Sequence, residues 1–264
     1  RSFKYGDKES LPEQYAAVLI KDDLGNVTSL AETSPGLYCT IDPDFRGVVG
    51  RNYQLYVLTT GGQEYESEFV ELKNVPAIEN LYAEFGEKAG KTEIEQGFHI
   101  YVDTYDPENR TRYYRYDFVE TWQFAVPYTS YYIVENGQLA FRTEPTNPCW
   151  KTEHSEDILV TTSEQMQSDI IRKFPVHFVS TKTNRLTIRY SILVRQYSLS
   201  REAYVFWDQI RGTNQDLGTL FDKQPAQIRG NIYNITDPDS PVIGFFEASC
   251  VDSERIFLTH SNVP

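Results

Sequence analysis

The sequence predicts a mainly β protein. An N-terminal immunoglobulin-like β-sandwich, lacking its first strands, precedes a larger antiparallel β domain with one packed amphipathic helix. Three observations point there. Short runs rich in Val, Ile, Tyr and Phe are separated by Gly, Pro, Asp and Asn at the spacing of a sandwich. Aromatic residues make up 14% of the 264 residues and include nineteen tyrosines, which favour strands. One stretch, "QYSLSREAYVFWDQIRG" (196–212), has helical periodicity instead.

The first domain is read as 1–76. "YAAVLIK" (15–21) leads through "DDLGN" to "VTSLAE" (27–32), then past "TSPG" to "LYCTI" (37–41). "RNYQLYVLTT" (51–60) turns at Gly61-Gly62 into "QEYESEFVEL" (63–72), because glycine accepts the positive φ of a tight hairpin. The opening "RSFKYGD" reads as the tail of a strand, so earlier strands are expected to precede Arg1.

The second domain is read as 77–264. Its strands are longer and more aromatic: "GFHIYVDTY" (97–105), "RYYRYDFVETWQFAV" (112–126) and "TSYYIVE" (129–135), the last ending in the turn "NGQ". After the Pro-rich link "TEPTNPCW" come "EDILVTTSEQ" and "FPVHFVS" (174–180). In "RLTIRYSILVRQY" (185–197), Leu186, Ile188, Tyr190, Ile192 and Val194 share one face. "AQIRGNIYNI", "PVIGFFEASCV" and "RIFLTH" are expected as strands.

The helix is expected near 200–211. Ser200 is a good N-cap, Glu202 suits the positive end of the dipole, and Gly212 can close the C-terminus. Ala203, Phe206, Trp207 and Ile210 form one apolar face. Burying Phe206 and Trp207 contributes roughly 2–3 kcal/mol each. This stripe reads as packing against the second domain and not as a cofactor site.

The formal charge is −13 and no Lys/Arg block occurs, which excludes the basic footprint of a nucleic-acid binder. No apolar run is long enough for a transmembrane helix. Three cysteines (Cys39, Cys149, Cys250) lack metal-ligand spacing. Either Cys149 and Cys250 form a disulfide, or all three are buried thiols.

No motif assigns catalytic, cofactor or metal residues. "GEKAGKT" (86–92) has three residues between its glycines where a phosphate loop needs four, and reads as a polar turn. His99, His154, His177 and His260 are scattered singly. The turns at 42–44, 103–109 and 237–240 lack the glycine and distal Glu of a calcium loop and read as solvated. Paired carboxylates of a hydrolase would need a distance that sequence does not supply. The aromatic cluster Tyr113, Tyr114, Tyr116, Trp122, Tyr131 and Tyr132 has two readings: a surface for a partner or ligand, or core and cross-strand pairs.

The run "RYSILVRQYSLSREAYVFWDQIRG", then "LFDKQPAQIRGNIYN" and "VIGFFEASCV", resembles the Bacteroidota lipoprotein family called domain of unknown function 4249. "SPGLYCT", "GRNYQLYV", "YESEFVEL" and "VDTYDPENRTRYYRYDFVETW" agree in order, so the resemblance spans almost the whole chain. It implies a signal peptide and a lipid-bearing cysteine ahead of this sequence, and an anchor in the outer membrane on its cell-surface face. It further implies a non-enzymatic accessory or binding subunit of a TonB-dependent receptor or other outer-membrane β-barrel. A structural subunit of an outer-membrane assembly or secretion complex is the alternative. No catalytic residue or cofactor carries over.

Overall fold

The computed structural model describes residues 12–90, 93–143, 147–215 and 228–259. The strands in chain order are β1 (Ala17–Asp22), β2 (Val27–Ser34), β3 (Leu37–Thr40), β4 (Asn52–Leu58), β5 (Glu64–Ser67) and β6 (Val70–Glu71). Next come β7 (Ile78–Ala89), β8 (Ile94–Asp106), β9 (Tyr113–Phe124), β10 (Tyr132–Glu135), β11 (Gln138–Phe141) and β12 (Cys149–His154). The last are β13 (Leu159–Thr162), β14 (Asp169–Ser180), β15 (Arg189–Ser198), β16 (Ile232–Asn234) and β17 (Val251–Thr259), with helix α1 (Arg201–Gln215) between β15 and β16. The protein is mainly β, with several antiparallel sheets and a single α-helix among the described residues, as the sequence predicts.

Two compact units form. The first joins residues up to Val75 with Ser198–Cys250, and the second holds Pro76–Tyr197 with the chain from Val251. In the first unit the sheet order is β16-β5-β4-β1-β2-β3, with β6 also on β4. This antiparallel arrangement is compatible with the expected immunoglobulin-like fold. Gly62 takes φ +78° in the β4–β5 turn, the conformation that only glycine adopts without cost. β16 adds to the edge of β5, with Ile232 opposite Ser67 and Asn234 opposite Tyr65.

The helix therefore belongs to the first unit and not to the second. Periodicity shows that a helix has a face to bury, but not which sheet receives it. The cap is as expected: Ser200 Oγ accepts the Ala203 N–H at 3.1 Å. Ala203, Phe206 and Ile210 are buried. The Phe206 ring stacks on Phe245 with centroids 4.7 Å apart, and Trp207 Nε1 donates to Glu247 at 2.7 Å. The helix does not stop at Gly212, which lacks the left-handed conformation of a C-cap, but continues to Gln215.

"PVIGFFEASCV" is largely not a strand. Between Gly230 and Gly244 the backbones touch: a Cβ on Gly230 would lie 1.6 Å from the Gly244 carbonyl oxygen. The Asn231 side chain takes the place of a ladder, donating to the Phe246 carbonyl at 2.8 Å and accepting the Phe246 N–H at 2.7 Å. That satisfies both peptide groups without a partner strand.

The core of the second unit is built from two sheets, β14-β8-β7 and β12-β9-β15-β17, with β13 on the same edge of β9 as β12. Their inward residues form one core. Ile78, Leu81, Phe98, Ile100, Val102 and Val179 come from the three-stranded sheet. Tyr114, Tyr116, Phe118, Trp122, Tyr190, Ile192, Val194 and Leu258 face them. β9 alternates strictly from Tyr114 to Trp122, as a strand with one buried face must. The expected strand at 185–197 begins only at Arg189. A 3₁₀ turn at Asn184–Leu186 precedes it, so Leu186 is buried while Ile188 is exposed.

The other expectations fall as follows. No disulfide joins Cys149 to Cys250, and all three cysteines are thiols, but none is buried: Cys39 is exposed and the other two are half-buried. Most of "GEKAGKT" is not a turn: β7 runs to Ala89, and Lys91 and Thr92 lie outside the described residues. Also outside them are His260, the opening residues and the whole of "LFDKQPAQ".

Candidate functional site

Four of the six aromatic residues singled out from sequence do not form a surface. Tyr113, Tyr114, Tyr116 and Trp122 are buried. β9 is the reason: it lies between β15 on one side and β12 with β13 on the other, beneath a second sheet. The polar tips find partners inside. Tyr116 Oη lies 3.1 Å from Thr104 Oγ1, and Trp122 Nε1 donates to Asn184 Oδ1 at 3.2 Å. Tyr114 donates to Asp169. Such tips are hydrogen-bonded whenever the rings are fully buried.

The same core holds two acidic clusters. Glu120 is buried beside His177, Arg185 and Tyr190. Tyr190 Oη donates to its carboxylate at 2.8 Å and Arg185 Nε at 3.0 Å, while His177 Nε2 lies 3.4 Å away. Arg185 also bridges to Glu153, and its guanidinium lies 4.4 Å above the Trp122 ring. Burial pushes the Glu120 carboxyl up, but the bonds from His177, Arg185 and Tyr190 outweigh it and hold the group at about 2. This carboxylate stays charged at neutral pH and acts as a buried anchor for three elements.

Asp106 and Asp169 stand opposite each other in the β8–β14 ladder. Burial raises the Asp169 pKa, against the hydrogen bonds from Ser163 and Tyr114. A carboxylate pair with one raised pKa invites a hydrolytic reading. The donors argue otherwise. Asp106 accepts the N–H groups of Glu108, Arg110 and Thr111 at 3.0, 2.8 and 3.0 Å. Asp169 accepts the hydroxyls of Tyr114 and Ser163. All four oxygens are occupied by the chain's own groups, so the pair clasps the loop after β8 to the start of β14. The sequence reading of this turn as solvated is corrected, since Asp106 is buried. Among the described residues no cluster of His, Cys, Asp and Glu could hold a metal ion. No described helix is long and apolar enough to cross a membrane.

Tyr131 and Tyr132 behave differently. They open the hairpin β10–β11, which pairs with no other strand among the described residues. Asn136 and Gly137 take φ +52° and +78°, as a two-residue hairpin turn of type I′ requires. Tyr132 stands opposite Phe141 and Val134 opposite Leu139, so all four share one face. That face is open: Tyr132 is 48% exposed, Val134 66%, Leu139 71% and Phe141 73%. Tyr131 and Tyr128, just before it, are 68% and 90% exposed. At the base, Asn147 Oδ1 accepts the Val126 N–H at 2.8 Å, tying the two ends of the excursion together.

A solvated antiparallel hairpin ordinarily turns polar residues outward. Here the outward face is apolar at every position, and contiguous apolar patches mark interaction sites. Val134, Leu139 and Phe141 were missed from sequence. The Asn-Gly turn flanked by two apolar cross-strand pairs was the available signal.

No curated protein and no solved structure matches this chain. A family model described as "Domain of unknown function (DUF4249)" matches residues 1–255, and the chain belongs to that family.

Proposed function

We propose that the protein is a non-enzymatic accessory subunit, anchored by an N-terminal lipid to the outer membrane, that docks onto an outer-membrane β-barrel of the TonB-dependent receptor class. The observation that carries the docking part is the β10–β11 hairpin, a preformed element whose apolar face meets solvent. Leaving such a face in water forfeits the stabilisation that burial against a partner would supply, roughly 25 cal/mol per Å². The sequence resemblance supports the anchor and the class of partner. The acidic clusters support the non-enzymatic reading, because their oxygens are already held by internal donors.

The test is affinity purification of the tagged, full-length protein from native outer membranes. The expected result is recovery of a lipidated protein with one barrel protein near equal amounts. Recovery of an unlipidated monomer without a barrel overturns the proposal.

A further inference from the structure

We propose that the hairpin binds its protein partner by strand addition: an extended segment of the partner pairs with the outer edge of β11 and lays apolar side chains against Leu139 and Phe141. This rests on the reading of the hairpin as the docking element and specifies how it docks.

The backbone carries the argument. A two-residue turn makes Glu135 and Gln138 the hydrogen-bonded pair beside it, and the pattern then alternates. The peptide groups of Val134 and Tyr132 on one edge, and of Leu139 and Phe141 on the other, therefore point away from the hairpin. The two edges are not equivalent. On the β10 side the Tyr132 carbonyl already accepts Ser130 Oγ at 2.8 Å and Arg142 Nε at 3.3 Å. The β11 side has no such cover among the described residues. An open edge beside an apolar face is the template that strand-adding partners use.

The same features argue against other occupants. A bilayer interior cannot satisfy open peptide edges, and each unmet group there is costly. The hairpin's charges are Glu135 at its tip and Arg142 at its base, with no basic rim to meet anionic headgroups. The apolar face is four side chains, far fewer than the roughly 20–30 residues a side that stable association between two folded copies ordinarily buries. An extended partner strand meets both needs: it supplies peptide hydrogen bonds and alternating side chains.

The test places a photo-crosslinking residue at Phe141 of the full-length protein in the cells that make it. Adduct yield is then compared for Leu139→Ala, Leu139→Pro, Val134→Ala and Val134→Pro. Leu139→Ala removes the side chain and keeps the N–H, whereas Leu139→Pro removes both. Val134→Ala and Val134→Pro make the same two changes on the β10 edge and control for harm to the hairpin. Thermal melts check that the rest of the molecule stays folded in each. The expected result is one dominant protein adduct, lowered about tenfold further by Leu139→Pro than by Leu139→Ala, the effect of one lost hydrogen bond and its steric consequences. Val134→Pro lowers the yield no further than Val134→Ala does, because at that position only the side chain takes part in docking. Equal yields for the two Leu139 variants, or an equal further loss from alanine to proline at both positions, overturn strand addition while docking through the apolar face stands. An adduct with lipid, or with a second copy of the chain, overturns the partner class. Absence of any adduct overturns the docking reading as well.

Discussion

Strand β9 and the β10–β11 hairpin lie next to each other in the chain and draw on the same residue types, yet they have opposite fates. In β9, Tyr114, Tyr116 and Trp122 are buried, with their polar tips bonded to other strands. In the hairpin, Tyr132, Val134, Leu139 and Phe141 stand in solvent. The difference lies in what surrounds each element. β9 has strands on both edges and a second sheet over its inner face, whereas the hairpin has only itself. A two-stranded ribbon has no second layer to cover its apolar side, so its aromatic residues stay in solvent.

Substitutions should separate the two regions clearly. The largest effect is expected from Trp122→Ala. It opens a cavity in the sandwich and removes the ring beneath Arg185, and should cost about 3–5 kcal/mol in urea unfolding. A loss below about 1 kcal/mol would mean that this core is not packed as described.

Next comes the acid limb of stability. The folded Glu120 carboxyl lies at about 2, below its ordinary value of 4.5, so its contribution is complete above pH 4.5 and is lost as pH falls toward 2. The drop amounts to about 3 kcal/mol, at about 1.4 kcal/mol per pH unit. Glu120→Gln should flatten that limb in urea midpoints measured from pH 5 to pH 2. Asp169 runs the other way: with its pKa raised, its contribution is present at low pH and lost as pH rises through the folded value. An unchanged acid limb in Glu120→Gln would remove the central role given to that carboxylate.

The smallest effect is expected in the hairpin. Replacing both Tyr132 and Phe141 by Ser should change stability by less than about 0.5 kcal/mol, since neither side chain is committed to the core. A loss comparable to that of Trp122→Ala would show that the hairpin is a folding element and not a docking one.

Local chemistry was legible in the sequence, and long-range pairing was not. Ser200 announced the start of α1, and the spacing of Ala203, Phe206 and Ile210 announced its buried face. Nothing local told which sheet the helix would join, because that depends on β16 returning to β5 from far along the chain. Nor could residue type separate Tyr114 from Tyr131. A tyrosine serves equally as a buried ring with a bonded hydroxyl and as an exposed contact. Asn136-Gly137 was readable as a hairpin turn, and counting outward from it pairs Tyr132 with Phe141. What sequence could not supply was the absence of a neighbouring sheet. The Asp-Pro turn at 106 misled for a related reason: its solvent exposure is decided by the loop that folds back onto its carboxylate.

The most direct measurement is the amount of barrel protein recovered from native outer membranes with the wild-type chain and with the Tyr132→Ser, Phe141→Ser double variant, at matched expression and matched melting temperature. The wild type should bring down one barrel, and the variant should lose most of it while remaining equally stable. Undiminished recovery with the variant, or no barrel with either, would contradict the assignment of the hairpin face as the docking surface.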